Sequence, residues 1–348
     1  MAGRHFGKST QLTSSIRHKL CLRQEARATI PVNNMKWPSP DSPSRQFDLL
    51  RLNDLACQDP ALVGSKSAIL ARLFHILPGA VPPGVALSPP QTEFFASLSG
   101  SGNLTEASQA LLAALGEHSP AMGNLYAVRS SALDEDSAGY SFAGQYETAL
   151  GLSSVTDIIT AIGACVHSAD SARIAAYRSA ASMHESVQES TSAVGVLIQE
   201  MVPADRAGVA FTINPLTGAN EIIINASFGL GDLLVSGQIT PDEFIIDTSR
   251  QDTSWQVSKL TVGSKRLMSV LTHHGIIRTL VPESLQVIPS LSDGQLHEII
   301  SAARACESAL GHPVDLEWAV NGNKLFILQA RPITAILNHC DTCSGSGT

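Results

Sequence analysis

Apolar and polar positions along the chain fall into two periods, and the switches between them mark out its elements. Short apolar runs bounded by Gly, Pro, Asn or Asp read as strands at Val85 to Leu87, Tyr126 to Val128, Gly195 to Glu200, Gly208 to Phe211, Glu221 to Asn225, Asp242 to Asp247 and Trp255 to Leu260. Helical spacing appears at Ile69, Leu70, Leu73, Phe74 and Leu77, in two stretches over Pro90 to Gly116, and from Val155 to Glu189. Leu291 to Leu310 is an amphipathic helix opened by Ser292-Asp293 and stopped at Gly311. The last periodic stretch, Asp315 to Thr334, places two apolar runs either side of Asn321-Gly322-Asn323, the pattern of a β-hairpin closed by an Asn-Gly turn.

That hairpin carries chemistry. Strict alternation puts Asp315, Glu317 and Ala319 on one face of the first strand. On the second strand it separates Lys324, Phe326, Leu328 and Ala330 from Leu325, Ile327, Gln329 and Arg331. Glu317, Gln329 and Arg331 then converge on one surface. A carboxylate and an amide oxygen suit Mg²⁺, and a guanidinium suits a phosphate oxygen; the alternative is a sheet edge with solvated charges.

Three further stretches offer complementary groups. Val63-Gly64-Ser65-Lys66-Ser67-Ala68 is a small-residue turn ahead of a helix, with amides for an anion and Lys66 as its cation; GxxxxGK[ST] is absent, and an ordinary surface lysine is the competing reading. The strand ending at Val128 presents Arg129, Ser130 and Ser131, followed by a loop in which Gly139 and Gly144 bracket Tyr140-Ser141-Phe142. Such a loop can close hydroxyls and amides over phosphates, or Arg129 can pair with Asp134 or Asp136. Gly195 to Pro203 is a strand running into a proline stop, and Gln199, Glu200 and Val202 offer an edge for adenine.

Composition narrows the class. With 348 residues, 44% hydrophobic, the chain can bury a full core in one bilobed or two separate domains. A net charge of −8 argues against a nucleic-acid binder, and no apolar run nears the roughly 18 residues of a membrane span. Residues 1–46 carry eight Lys or Arg against Glu25 and Asp41, and their Ser/Thr-rich composition reads as a disordered basic extension; an organelle transit peptide within residues 1–30, or a natural start at Met35, are the other readings. Six scattered cysteines form no disulfide framework, which makes a cytoplasmic setting the default; Cys340-x-x-Cys343 lacks a second pair for zinc and sits in a tail, 336–348, read as flexible.

Taken together and in this order, the stretches VGSKSAILARL, AVRSSALDEDSAGYSFAGQYET, IQEMVPADRAGVAFTINPLTG, EIIINASFGLGDLLVSGQITPDEFIID and DLEWAVNGNKLFILQARPIT resemble the ATP-binding domain of phosphoenolpyruvate synthase and pyruvate phosphate dikinase. The same ATP-grasp part occurs in rifampicin phosphotransferase. The resemblance implies an α+β ATP-grasp fold with subdomains at 47–192 and 193–335 and the nucleotide between them. It implies ATP and Mg²⁺ as cofactors, with Lys66 and Arg129 on the ATP phosphates and Glu317 and Gln329 as metal ligands. Arg331 falls on the transferring phosphoryl groups, Gln199, Glu200 and Val202 at the adenine, and the loop with Ser141 and Gly144 as lid. Ser65 and Ser67 stand where the family usually has glycines.

In that family ATP's phosphoryl groups pass to a histidine on a further domain, with AMP and phosphate as eventual products. None of the eleven histidines here, His273, His274 and His312 among them, sits in a carrier context. Phenylphosphate synthase divides the same machinery between subunits. The expectation is therefore a dikinase-type phosphotransferase component acting with a phosphohistidine carrier in trans, its small-molecule acceptor unidentified. A stand-alone small-molecule kinase and an inactive nucleotide-binding module are the alternatives.

Overall fold

The computed structural model describes residues 49–98, 105–116, 123–132, 148–182, 194–248 and 255–333. The expectations for residues 1–46, for the loop with Asp134, Asp136, Ser141 and Gly144, and for the tail at 336–348 fall outside them.

The first half contains β1 (Leu50–Arg51), α1 (Pro60–Val63), α2 (Ser65–Ile76), β2 (Gly84–Leu87), α3 (Pro89–Ser97), α4 (Thr105–Leu115), β3 (Tyr126–Ser131), β4 (Thr148–Leu152), α5 (Val155–Ser182) and β5 (Gly195–Glu200). Its strands form an antiparallel sheet in the order β1-β2-β5-β3-β4. Alternation along these strands decides the layers. Val85, Leu87, Tyr126, Val128, Val196 and Ile198 point to one face and bury against Phe95, Leu111, Ile158 and Ile162 of α3, α4 and α5. Ala86 and Leu197 point to the other, against Leu70 and Leu73 of α2.

The second half contains β6 (Arg206–Phe211), β7 (Glu221–Phe228), α6 (Asp232–Val235), β8 (Asp242–Asp247), β9 (Gln256–Thr261), β10 (Leu267–Thr272), β11 (Gly275–Leu280), α7 (Glu283–Gln286), α8 (Asp293–Leu310), β12 (Val314–Asn321) and β13 (Lys324–Pro332). Six strands run antiparallel in the order β13-β12-β6-β7-β8-β9, and β10 and β11 make a separate hairpin. Leu296, Ile299 and Ala303 of α8 pack under Ile222, Ile224, Phe244, Leu316 and Trp318. Helix α8 has the ends its sequence predicts: Ser292 and Gln295 form a reciprocal cap, and Gly311 stops it with φ of 78°.

Because β5 is hydrogen-bonded within the first sheet, the chain crosses to the second at Met201–Asp205, past the 192/193 boundary expected from sequence. The β10–β11 hairpin, β1 and β4 have no counterpart among the strands expected from sequence. Thr272-His273-His274-Gly275 lacks the Asn-Gly signature, and the apolar residues of Leu267 to Leu280 do not alternate.

Candidate active site

The terminal hairpin supplies a two-by-two patch. Asp315 lies directly opposite Arg331 and Glu317 opposite Gln329, so all four side chains share one face of the sheet. The other face is core: Leu316, Trp318, Val320, Leu325, Ile327 and Ala330 pack with α2 and α8. Beyond Glu317 the register slips by one residue, because Trp318 pairs with Ile327 and leaves Leu328 as the extra residue of a bulge. The slip corrects the strict alternation assumed from sequence: Phe326 and Lys324 pair with Ala319 and Asn321, on the face of Glu317 and Gln329. The signal was present in the apolar spacing, which steps by two from Leu325 to Ile327 and by three to Ala330. Burial draws the Lys324 ammonium below the usual lysine range, and its Nζ lies 4.7 Å from the centroid of the Phe326 ring.

The bulge has a use. Arg129, reaching from β3, donates through Nη1 to the Leu328 carbonyl at 3.0 Å and stands 3.9 Å from Glu317 Oε2. A cation of the first sheet and a carboxylate of the second thus meet directly. Arg331 is held differently: its Nε and Nη2 both donate to Asp315 Oδ2 at 2.7 Å. Asp315, left out of the sequence-derived site, orients the guanidinium and neutralises part of its charge.

Lys66 lies in the first turn of α2, partly exposed. That turn is pinned to the end of β3, since Ser65 N–H donates to the Ala132 carbonyl at 3.2 Å and Ser67 N–H to Ser131 Oγ at 3.1 Å. Two amides that the sequence offered to an anion are thereby consumed, so the turn meets an anion through the Lys66 ammonium more than through its backbone. Gly64 is required here, because with φ of 79° a Cβ would stand 1.8 Å from the Ser131 carbonyl oxygen. Of the two hydroxyls expected beside Arg129, Ser131 shares its face but its Oγ accepts Ser67 N–H, and Ser130 points to the opposite, helix-covered face.

At the crossing, Glu200 N–H donates to Pro83 O at 2.9 Å and Met201 N–H to Leu125 O at 2.8 Å, while the Val202 carbonyl accepts from Ala204. Among the described residues, the Val202 amide has no backbone partner outside regular elements. Gln199 is buried and donates through Nε2 to Pro82 O at 3.3 Å. Glu200 pairs with Tyr126, so its side chain turns toward the helix layer, away from the cleft, and burial raises its carboxyl to about 7. The same burial, aided by the Glu200 charge, raises the Tyr126 phenol. The Glu200 side chain is therefore turned from any base held at the crossing, and its amide is already taken by Pro83 O.

Among the described residues no three His, Cys, Asp or Glu side chains gather as a metal cage. One carboxylate beside one amide oxygen fits Mg²⁺, which binds through one or two protein oxygens and completes its shell with water and phosphate. The described residues also contain no helix long and apolar enough to cross a membrane.

Residues 91–341 match the family model of the pyruvate phosphate dikinase AMP/ATP-binding domain. A probable phosphoenolpyruvate synthase of Methanothermobacter thermautotrophicus is 35% identical over 210 residues, 60% of this chain and 30% of that protein. The uncharacterized phosphotransferase YvkC of Bacillus subtilis is 35% identical over 211 residues, 60% of this chain and 24% of its own. The prodigiosin synthesizing transferase PigC of Serratia marcescens is 38% identical over 214 residues, 61% and 23% respectively. The aligned part thus spans between 23% and 30% of the length of these relatives.

Proposed function

The chain belongs to the pyruvate phosphate dikinase AMP/ATP-binding domain family, and from that premise we propose that it is the Mg-ATP-binding component of a phosphoenolpyruvate synthase-like phosphotransferase, passing ATP's phosphoryl groups to a histidine on a partner protein or domain. The observation that carries the reading is the meeting of Arg129 with Glu317 and the Leu328 carbonyl, which brings together, from separate sheets, a side chain read as phosphate-binding and one read as metal-binding.

In this reading adenine lies against the backbone of Glu200 and Val202, and the phosphates run from there toward Lys66 and Arg129. Glu317 and Gln329 would hold Mg²⁺, which supplies charge neutralisation on the phosphate oxygens. Phosphoryl transfer asks little covalent chemistry of a protein and much positioning. Arg331 suits that demand: Asp315 fixes its orientation, and its guanidinium would stabilise the charge that develops on the transferred group. Arg129, 3.9 Å from Glu317, would be within reach of the phosphates that the same carboxylate's ion would neutralise.

The test is product analysis with labelled ATP, alone and with a carrier-bearing partner. AMP formed only with the partner supports the reading. ADP formed by the chain alone would replace it with a self-sufficient kinase, and absence of Mg-ATP binding in calorimetry would leave a nucleotide-free role.

A further inference from the structure

The β10–β11 hairpin is fastened at three levels. At its root the wholly buried Lys265 donates to Asp242 and to the Gly263 carbonyl, and Asp242 also accepts the amides of Gly263 at 2.9 Å and Ser290 at 2.6 Å. Halfway up, the Ser269 carbonyl accepts Leu230 N–H at 2.9 Å, and Ser269 Oγ donates to Asp232 Oδ2 at 2.8 Å. Gly229 permits that approach, since a Cβ there would stand 2.2 Å from the Ser269 carbonyl oxygen. At the tip Ile276 reaches the other half of the molecule. It lies against Gly151 of β4, where a Cβ would meet Ile276 Cγ1 at 3.2 Å. The Gly151 amide in turn donates to the sulfur of Met201, the first residue of the crossing, at 3.0 Å.

Strand order gives this contact its meaning. In the first sheet β5 separates β2 from β3 and β4; in the second, β6 separates β12 and β13 from β7 and β8. On the β13 side the halves are joined by Ile327 N–H donating to the Ala80 carbonyl at 2.8 Å. Ile276 on Gly151 is the matching contact on the β4 side, so the crossing is braced on both flanks. We infer that the β10–β11 hairpin is a strut, with Ile276 its positioning residue, that sets the separation of Lys66 and Arg129 from Glu317 and Gln329.

This deepens the functional reading above and rests on it. A triphosphate touches both halves, whereas a nucleoside monophosphate engages the crossing and little of the metal end. Without the strut the halves stay joined through α2 and Arg129, but the β4 flank is no longer held, and ATP must order it on binding, which subtracts from its affinity. AMP is spared the cost.

Calorimetric titration of Mg-ATP and of AMP into the parent chain, Ile276→Val, Ile276→Ala and Ile276→Asp tests this. Removing the apolar contact should weaken Mg-ATP by about fivefold in the alanine variant and further in the aspartate variant, with AMP unchanged and valine near the parent. Hydrogen exchange should quicken at the Gly151 and Met201 amides and stay the same in α8. Equal weakening of both nucleotides, unaltered Mg-ATP affinity, or unaltered exchange at Gly151 would overturn the strut. A parent chain that binds neither nucleotide would overturn the functional reading, while the exchange comparison still decides the strut. Should the aspartate variant fail to fold, the graded valine and alanine pair decides the question in the same way.

Discussion

Replacing Glu200 tests which face of β5 serves the cleft. The carboxyl lies opposite Tyr126 under the helix layer, and burial raises it from 4.5 to about 7. An unfolded chain releases this proton near the ordinary carboxylate value, while the folded chain keeps it to about pH 7. Between those values the folded state holds more protons. Its stability is therefore greatest at the acid end of the window, declines as pH rises through it, and is level above. At about 1.4 kcal/mol per pH unit, that gap makes the decline about 3 kcal/mol. Glu200→Gln keeps the shape and removes the ionisation, so the variant should match its parent below about pH 4 and exceed it by up to about 3 kcal/mol near about pH 8. Urea denaturation at several pH values reads this directly. Parallel stability profiles for the two proteins would refute the burial argument. A second arm addresses function: with the carboxyl turned from the cleft, Mg-ATP affinity should agree within about twofold. A tenfold loss would put the side chain on the nucleotide.

Three other outcomes are expected. Glu317→Gln should weaken ATP by about tenfold with Mg²⁺ present, and EDTA should bring the parent to the variant's level while barely moving the variant; calorimetry with and without EDTA checks it. Asp315→Asn releases Arg331 from its charged clamp, so labelled-ATP turnover with the carrier-bearing partner should fall by about tenfold while Mg-ATP affinity changes less than about threefold, the mark of a group that positions rather than binds. Gly64→Ala drives a Cβ into the Ser131 carbonyl at a positive φ and should cost about 2 kcal/mol or more in thermal unfolding, with ATP affinity falling because the Lys66 turn is displaced.

Local signals carried much of this protein. The Asn-Gly turn placed β12 and β13, the Ser292 cap and Gly311 delimited α8, and parity brought Glu317 and Gln329 to one surface. Those features depend on a few neighbouring residues, whose conformational preferences act before any tertiary contact forms. The long ordered motifs identified the family because several had to agree at once.

What tertiary structure decided was everything that depends on a distant partner. Parity says that Gln199 and Glu200 point oppositely; only the packing of α3, α4 and α5 on the first sheet decides that Glu200 is the one turned inward. The Leu328 bulge is selected by the apolar face that must meet α8, and its carbonyl then receives Arg129, 199 positions away in sequence. Asp315 becomes the holder of Arg331 because antiparallel pairing sets them side by side. Ile276 and Gly151 carry no mark in sequence, since a half-buried isoleucine and a glycine acquire a role only when two sheets are brought face to face.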